Sequence, residues 1–183
     1  MEIKQRKQMR LKNFDYSQIG YYFITICTKD MKQVLSDVYN SLSEPVASGF
    51  HARQNEVKSA TPGFNVNPQI KLFEIGKVVD DTIRYMNSNY DFITITHYVI
   101  MPNHVHLIIS VNNPNTVVGR GSPTLQEYIK RLKTFTTKKY GQKLWQRGFY
   151  DHIIRNEEDL YYHIQYINEN PKKWIMGKDE YYA

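Results

Sequence analysis

Residues 21–28 (YYFITICT) run together aromatic and β-branched side chains, the composition of a strand. Ile75, Val78, Val79, Ile83 and Met86 then recur at helical spacing, which predicts a helix over 74–86. Residues 92–101 (FITITHYVIM) predict a second strand, and Pro102-Asn103 a turn or bulge, because proline has no amide to give to a ladder. Residues 104–111 (HVHLIISV) continue as a third strand. After a turn-rich stretch a helix opens near Ser122 or Thr124, with Leu125, Ile129, Leu132 and Phe135 as its buried stripe and lysines on the other face. Residues 150–155 (YDHIIR) predict a fourth strand. Asn156 suits the cap of a last helix, Glu157, Glu158 and Asp159 suit the positive end of its dipole, and Pro171 predicts its end near Asn170. The order β-α-β-β-α-β plus a final helix predicts an α+β, ferredoxin-like antiparallel sheet, with helices on one face and the other face available to a ligand.

The 183 residues suit one domain spanning 1–183. Residues 36–68 scatter Ser, Pro, Gly and Asn without a sustained period and predict a flexible insertion, while 172–183 read as a C-terminal tail. A lone cysteine, Cys27, excludes an internal disulfide and a multi-cysteine zinc site. The absence of a long apolar run or signal-like leader points to a reducing cytoplasm and away from a membrane.

The formal charge of +6 is modest, but its distribution is uneven. Between Arg120 and Arg147 eight basic residues face a single acid, Glu127, and Lys4, Arg6, Lys7, Arg10 and Lys12 crowd the start of the chain. Lys130, Arg131, Lys133, Lys138, Lys139 and Arg147 are the candidate phosphate contacts, with Tyr128, Phe135, Tyr140 and Trp145 interleaved as candidate stacking surfaces. The plainer account is a solvated lysine face over core aromatics, which Phe135 in particular fits.

His104 and His106 flank Val105, so on a strand both imidazoles project to one side. Such a pair is half of a divalent-metal site, a phosphate-gripping pair, or a polar stripe on an ordinary strand. On the last helix, Leu160, Ile164 and Ile167 share one sector. Asp159, Tyr162, Tyr166 and Asn170 share the adjacent one, with His163 at its edge. Tyr166 and Asn170, four residues apart, reach one point in space, where they either join the histidine face or simply pack.

The segment MPNHVHLII, the basic helix and WQRGFYDHIIRNEEDLYYHIQYINENPKKW together resemble the single-tyrosine HUH transposases of the IS200/IS605-like group, in its REP-associated branch. The resemblance covers residues 20–174 apart from 36–68. It implies His104 and His106 as metal ligands, Tyr166 as nucleophile, and Asn170 in the third ligand position, which many such proteins fill with the longer Gln. His152, in the FYDHIIR segment, is expected near the active site without an assigned role. The resemblance further implies Mg²⁺ or Mn²⁺, single-stranded or hairpin DNA as substrate, a 5′-phosphotyrosine intermediate, and a bacterial, nucleoid-associated setting. Relatives of this kind work as dimers that exchange the catalytic helix or as monomers, so a homodimer is one expected assembly. A phenol is mostly protonated at neutral pH and needs activation or tight positioning. Two rival functions stand beside this one: a non-catalytic nucleic-acid-binding module or repressor, and a metallohydrolase using His104, His106 and His152.

Overall fold

A computed structural model describes residues 18–41, 66–112 and 124–177. The N-terminal basic cluster, Arg120, Ser122, most of the expected insertion and the last six residues lie outside this range. The elements are β1 (Gly20–Cys27), β2 (Ser36–Asn40), β3 (Pro68–Leu72), α1 (Glu74–Asn89), β4 (Ile93–Ile100), β5 (His104–Val111), α2 (Leu125–Tyr140), β6 (Tyr150–Ile154) and α3 (Glu157–Ile175). The main sheet runs β4-β5-β1-β6 with every neighbouring pair antiparallel. With α1 and α2 as crossovers this is the ferredoxin-like order the hydrophobic pattern predicts.

Strand alternation divides two cores. Tyr22, Ile24 and Ile26 of β1 and Val105, Leu107 and Ile109 of β5 pack against α1 and α2 through Val79, Ile83, Met86, Leu125, Ile129 and Leu132. These side chains are almost wholly buried, and each such aliphatic contributes about 1.5–3 kcal/mol. The opposite face carries Phe23, Val99, Met101 and Ile108, covered by α3 through Leu160, Ile164, Ile167, Trp174 and Ile175. Polar side chains also point to that second face, and they form the site below.

Four expectations change. Residues 36–40 and 68–72, the two ends of the expected insertion, pair as a two-stranded ribbon, and Val38 packs into the α3 core. Those residues therefore belong to the fold. Helix α3 runs through Pro171 to Ile175 instead of ending at Asn170. Proline removes one helical hydrogen bond there, at a cost of about 3 kcal/mol, but Pro171 is itself buried and the turn beyond it places Trp174 and Ile175 in the second core. Residues 172–175 are thus helix, not tail. On α2, Phe135 is 38% exposed and Thr136 takes the buried position, because the Trp145 indole N–H donates to the Thr136 hydroxyl at 2.8 Å.

Gly76, in the first turn of α1, lies against the Leu35 backbone carbonyl, where an added Cβ would collide with the oxygen. In an exposed helix, Gly→Ala stabilises by about 0.5–1 kcal/mol. Here the sign inverts, because backbone cannot yield as a side chain can. Gly76→Ala is expected to destabilise by about 1–3 kcal/mol, read as a lowered urea midpoint. An unchanged or raised midpoint would contradict the packing of the Leu35 backbone on α1.

Candidate active site

His104 and His106 lie side by side on β5, ring centroids 4.5 Å apart, both fully buried under α3. Their partners are residues that carry no chemical signal in the sequence. His104 Nδ1 lies 2.7 Å from Asn103 Oδ1. An amide oxygen only accepts, so Nδ1 carries the proton and Nε2 holds the lone pair, the tautomer a metal ligand needs. His106 Nδ1 is 2.8 Å from the Thr25 hydroxyl on β1, the residue directly opposite it in the ladder. Asn103 belongs to the turn before β5, so Pro102-Asn103 both ends the ladder and supplies the group that orients His104.

From α3, the Tyr166 ring stands edge-on to His106 at 5.2 Å, with its hydroxyl buried, and its other edge meets Phe23 at 5.7 Å. Asn170, one turn on, is fully buried, and its side chain acts to raise the His104 imidazole pKa against the larger effect of burial. The Lys173 ammonium sits over the Tyr166 ring at 4.9 Å, and Trp174 approaches His104 at 6.1 Å. The four residues expected to act together (His104, His106, Tyr166 and Asn170) are therefore brought together, within one chain. Tyr162, on the same helical sector, is 63% exposed and turned outward. His152 stands apart from this group, paired instead with Asp159 at 2.9 Å. A three-histidine metallohydrolase centre of His104, His106 and His152 is not the geometry formed.

Burial pushes the His104 imidazolium down to about 3, the Asn170 contact opposing only part of the shift. Burial also lowers His106 well below its ordinary value, reinforced by the neighbouring His104 and His163. Both rings stay neutral across the physiological range, as ligands must. In the unfolded chain each binds a proton below about pH 6.5, whereas in the fold each resists it, so stability is full above 6.5 and is lost as pH falls towards 3. Each lowered histidine tilts the balance by up to ~1.4 kcal/mol per pH unit. In chelator, the unfolding free energy is expected to be lower by on the order of 2–4 kcal/mol at about pH 5 than at about pH 7.5. His106→Gln should flatten that slope; equal urea midpoints at the two pH values would refute it.

The basic tract lies elsewhere. Helix α2 packs on the sheet face opposite α3, so its lysines do not join the histidines. Lys130, Lys133, Lys138 and Lys143 line a cavity of ≈ 510 Å³ floored by Ile129, Trp145 and Phe149. Lys133 donates to the Gln146 and Gly148 carbonyls, both at 2.7 Å, and burial lowers its ammonium to about 8. These two contacts tie α2 to residues 146–148. Arg131 stacks on Tyr90 and donates to its hydroxyl, and Lys139 lines a separate cavity beside Phe73. Tyr128 and Trp145 are core residues and offer no stacking surface, whereas Phe135 is exposed.

Residues 64–170 match the family model described as "Transposase IS200 like". The chain belongs to this family. A Haemophilus influenzae protein described as uncharacterized is 28% identical over 94% of the chain and 91% of its own length. The Escherichia coli K12 REP-associated tyrosine transposase is 31% identical over 44% of the chain and 47% of its own length. A putative REP-associated tyrosine transposase of Haemophilus influenzae is 32% identical over 47% and 53%. Among solved structures, a REP-associated tyrosine transposase bound to a REP hairpin shares the fold at a TM-score of 0.54 and 18% identity, over 90% of this chain and 73% of that one. The family match covers both site histidines, Tyr166 and Asn170 of this transposase. It begins inside the segment between β2 and β3, so β1, which supplies Phe23 and Thr25, precedes it.

Proposed function

We propose that this transposase cleaves and rejoins single-stranded or hairpin DNA through a covalent bond to Tyr166. The observation that carries the reading is a phenol, two neutral imidazoles and a carboxamide converging on one buried point from two different elements. The Tyr166 oxygen attacks the scissile phosphorus as the bond to the 3′ oxygen breaks, giving a 5′-phosphotyrosine and a free 3′-OH. The phenolic proton leaves and the departing 3′ oxygen gains one. The link keeps the energy of the phosphodiester, so a second 3′-OH can reverse the step and join strands without ATP.

His104 Nε2, His106 Nε2 and Asn170 Oδ1 make a donor set that fits a divalent cation, with Asn103 and Thr25 engaging the far nitrogens. Bound there, Mg²⁺ or Mn²⁺ would supply charge neutralisation at the scissile phosphate. The shorter Asn170 reaches this point because it is wholly buried against β5. The chain's own residues then position the phenol. Phe23 and His106 wall the Tyr166 ring, and the Lys173 ammonium lies over its face. Because α3 completes the site of its own chain, a monomer is catalytically sufficient in this reading. The hairpin held by the solved relative supports DNA of that form as substrate.

The test is a covalent protein–DNA adduct formed with a hairpin-bearing single strand and Mn²⁺ or Mg²⁺. A second reading, a non-catalytic DNA-binding module, draws on the position of the α2 lysine cavity on the opposite face of the sheet. It requires salt-sensitive binding without an adduct, indifferent to metal and to Tyr166.

A further inference from the structure

Helix α3 and strand β6 hold a second convergence of ligand atoms, separate from the histidine pair of β5. Among the described residues His152, Asp159 and His163 place a donor atom each within 4.8 Å of one another. His152 Nε2 is 2.9 Å from Asp159 Oδ2, and His163 Nδ1 is 3.0 Å from Asp159 Oδ1. Asp159 and His163 are one helical turn apart, so they share a face by the geometry of the helix. His152 reaches them from the strand immediately before, its ring stacked on His163 at 4.6 Å. Donors held at about 2.0–2.1 Å from a tetrahedral ion sit roughly 3.3 Å from one another, and Asp159 Oδ1 lies 3.1 Å from His152 Nε2 and 3.0 Å from His163 Nδ1.

We propose that His152, Asp159 and His163 form a binding site for a borderline divalent cation of the Zn²⁺ type, distinct from the His104–His106–Asn170 centre. Two imidazoles and one carboxylate are a donor set that a Zn²⁺-type ion takes with a fourth position left open. The His152 side chain is 37% exposed, which leaves a way in for the ion and room for a fourth ligand from solvent. Without metal, the carboxylate accepts from His152 and from the Arg155 N–H, and His163 Nδ1 also meets the Asp159 carbonyl at 2.8 Å. On binding, each ring would turn a lone pair to the ion, with the outer nitrogen carrying the remaining proton. The consequence is mechanical. The ion would tie β6 to the first turns of α3, and His163 packs at a tilt against Phe23 at 4.7 Å, the same ring that walls Tyr166. The site therefore braces the helix that carries the proposed nucleophile.

The probe is Co²⁺, titrated into the full chain in excess Mg²⁺ and followed by its visible absorption bands. In a His104→Ala/His106→Ala background, one equivalent should still bind with the intense bands of four-coordinate cobalt. Adding His152→Gln should weaken it by roughly 100-fold, as loss of a direct ligand does. Zn²⁺ should raise the melting temperature of the background protein and leave that of its His152→Gln form unmoved. Should the double alanine protein not fold, the count in wild type against His152→Gln, a half-exposed strand position, decides the same point by the loss of one equivalent. No cobalt bound beyond the His104–His106 centre, or binding indifferent to His152→Gln, would overturn the site and leave a hydrogen-bonded tether. Neither result depends on whether Tyr166 forms an adduct.

Discussion

Tyr166→Phe is expected to abolish the covalent adduct, at least ~10³-fold below wild type, while hairpin binding and thermal stability stay near wild type. The variant removes one oxygen and nothing else. The Tyr166 ring makes its contacts with His106 and Phe23 through its faces and edges, and a phenyl ring repeats both. Among the described residues no neighbouring phenol on α3 stands ready to substitute. Tyr162 is one turn earlier but 63% exposed and directed away from His106, and Tyr161 is 65% exposed. Gel-resolved adduct formation on a labelled hairpin strand reads the effect, with circular dichroism as the folding check. Adduct persisting in the phenylalanine protein would move the nucleophile elsewhere. Absence of adduct in both proteins, with binding intact, would favour the non-catalytic module.

Removing a histidine is expected to be nearly as severe for activity and to leave a different signature. His106→Ala should reduce adduct formation by on the order of 10²–10⁴-fold at any attainable Mn²⁺ concentration, since it deletes a proposed ligand at the centre of the site. It also opens a cavity between Phe23, Thr25 and Tyr166, so His106→Asn is the companion variant that keeps a polar group there. Asn103→Ala provides the graded comparison. It leaves both imidazoles in place but frees the His104 tautomer, a change usually worth about 10–100-fold in metal affinity. Its defect should therefore recover at high Mn²⁺, whereas that of His106→Ala should not. An Asn103→Ala protein indistinguishable from wild type at limiting Mn²⁺ would remove Asn103 from the orienting role.

The site explains why parts of it were legible beforehand. His104-Val-His106 needs only the two-residue period of a strand to present both rings on one side, and Tyr166 with Asn170 needs only the helical turn. Thr25 and Phe23 lie some eighty residues from His106 and meet it through antiparallel register alone, which no local spacing encodes. Phe135 and Trp145 depart from what their hydrophobicity predicts for a related reason. Hydrophobicity marks a residue as a candidate for burial, but Trp145 entered the core because Thr136 satisfies its indole N–H, and Phe135 was left outside. Lys133 likewise reads as one lysine among many until two backbone carbonyls take its ammonium.

The sequence by itself determined the element types, the β-α-β-β-α-β order, the strand that carries two imidazoles and the helix that carries the phenol, because these rest on local periodicity. Only the tertiary structure decided that α3 closes over the histidines of its own chain. It also carried the helix past Pro171, set the α2 lysines on the far face, and drew His152 to Asp159 and His163 rather than to His104. Each of those outcomes depends on which surfaces bury one another, a sum over distant residues that no window of the chain contains.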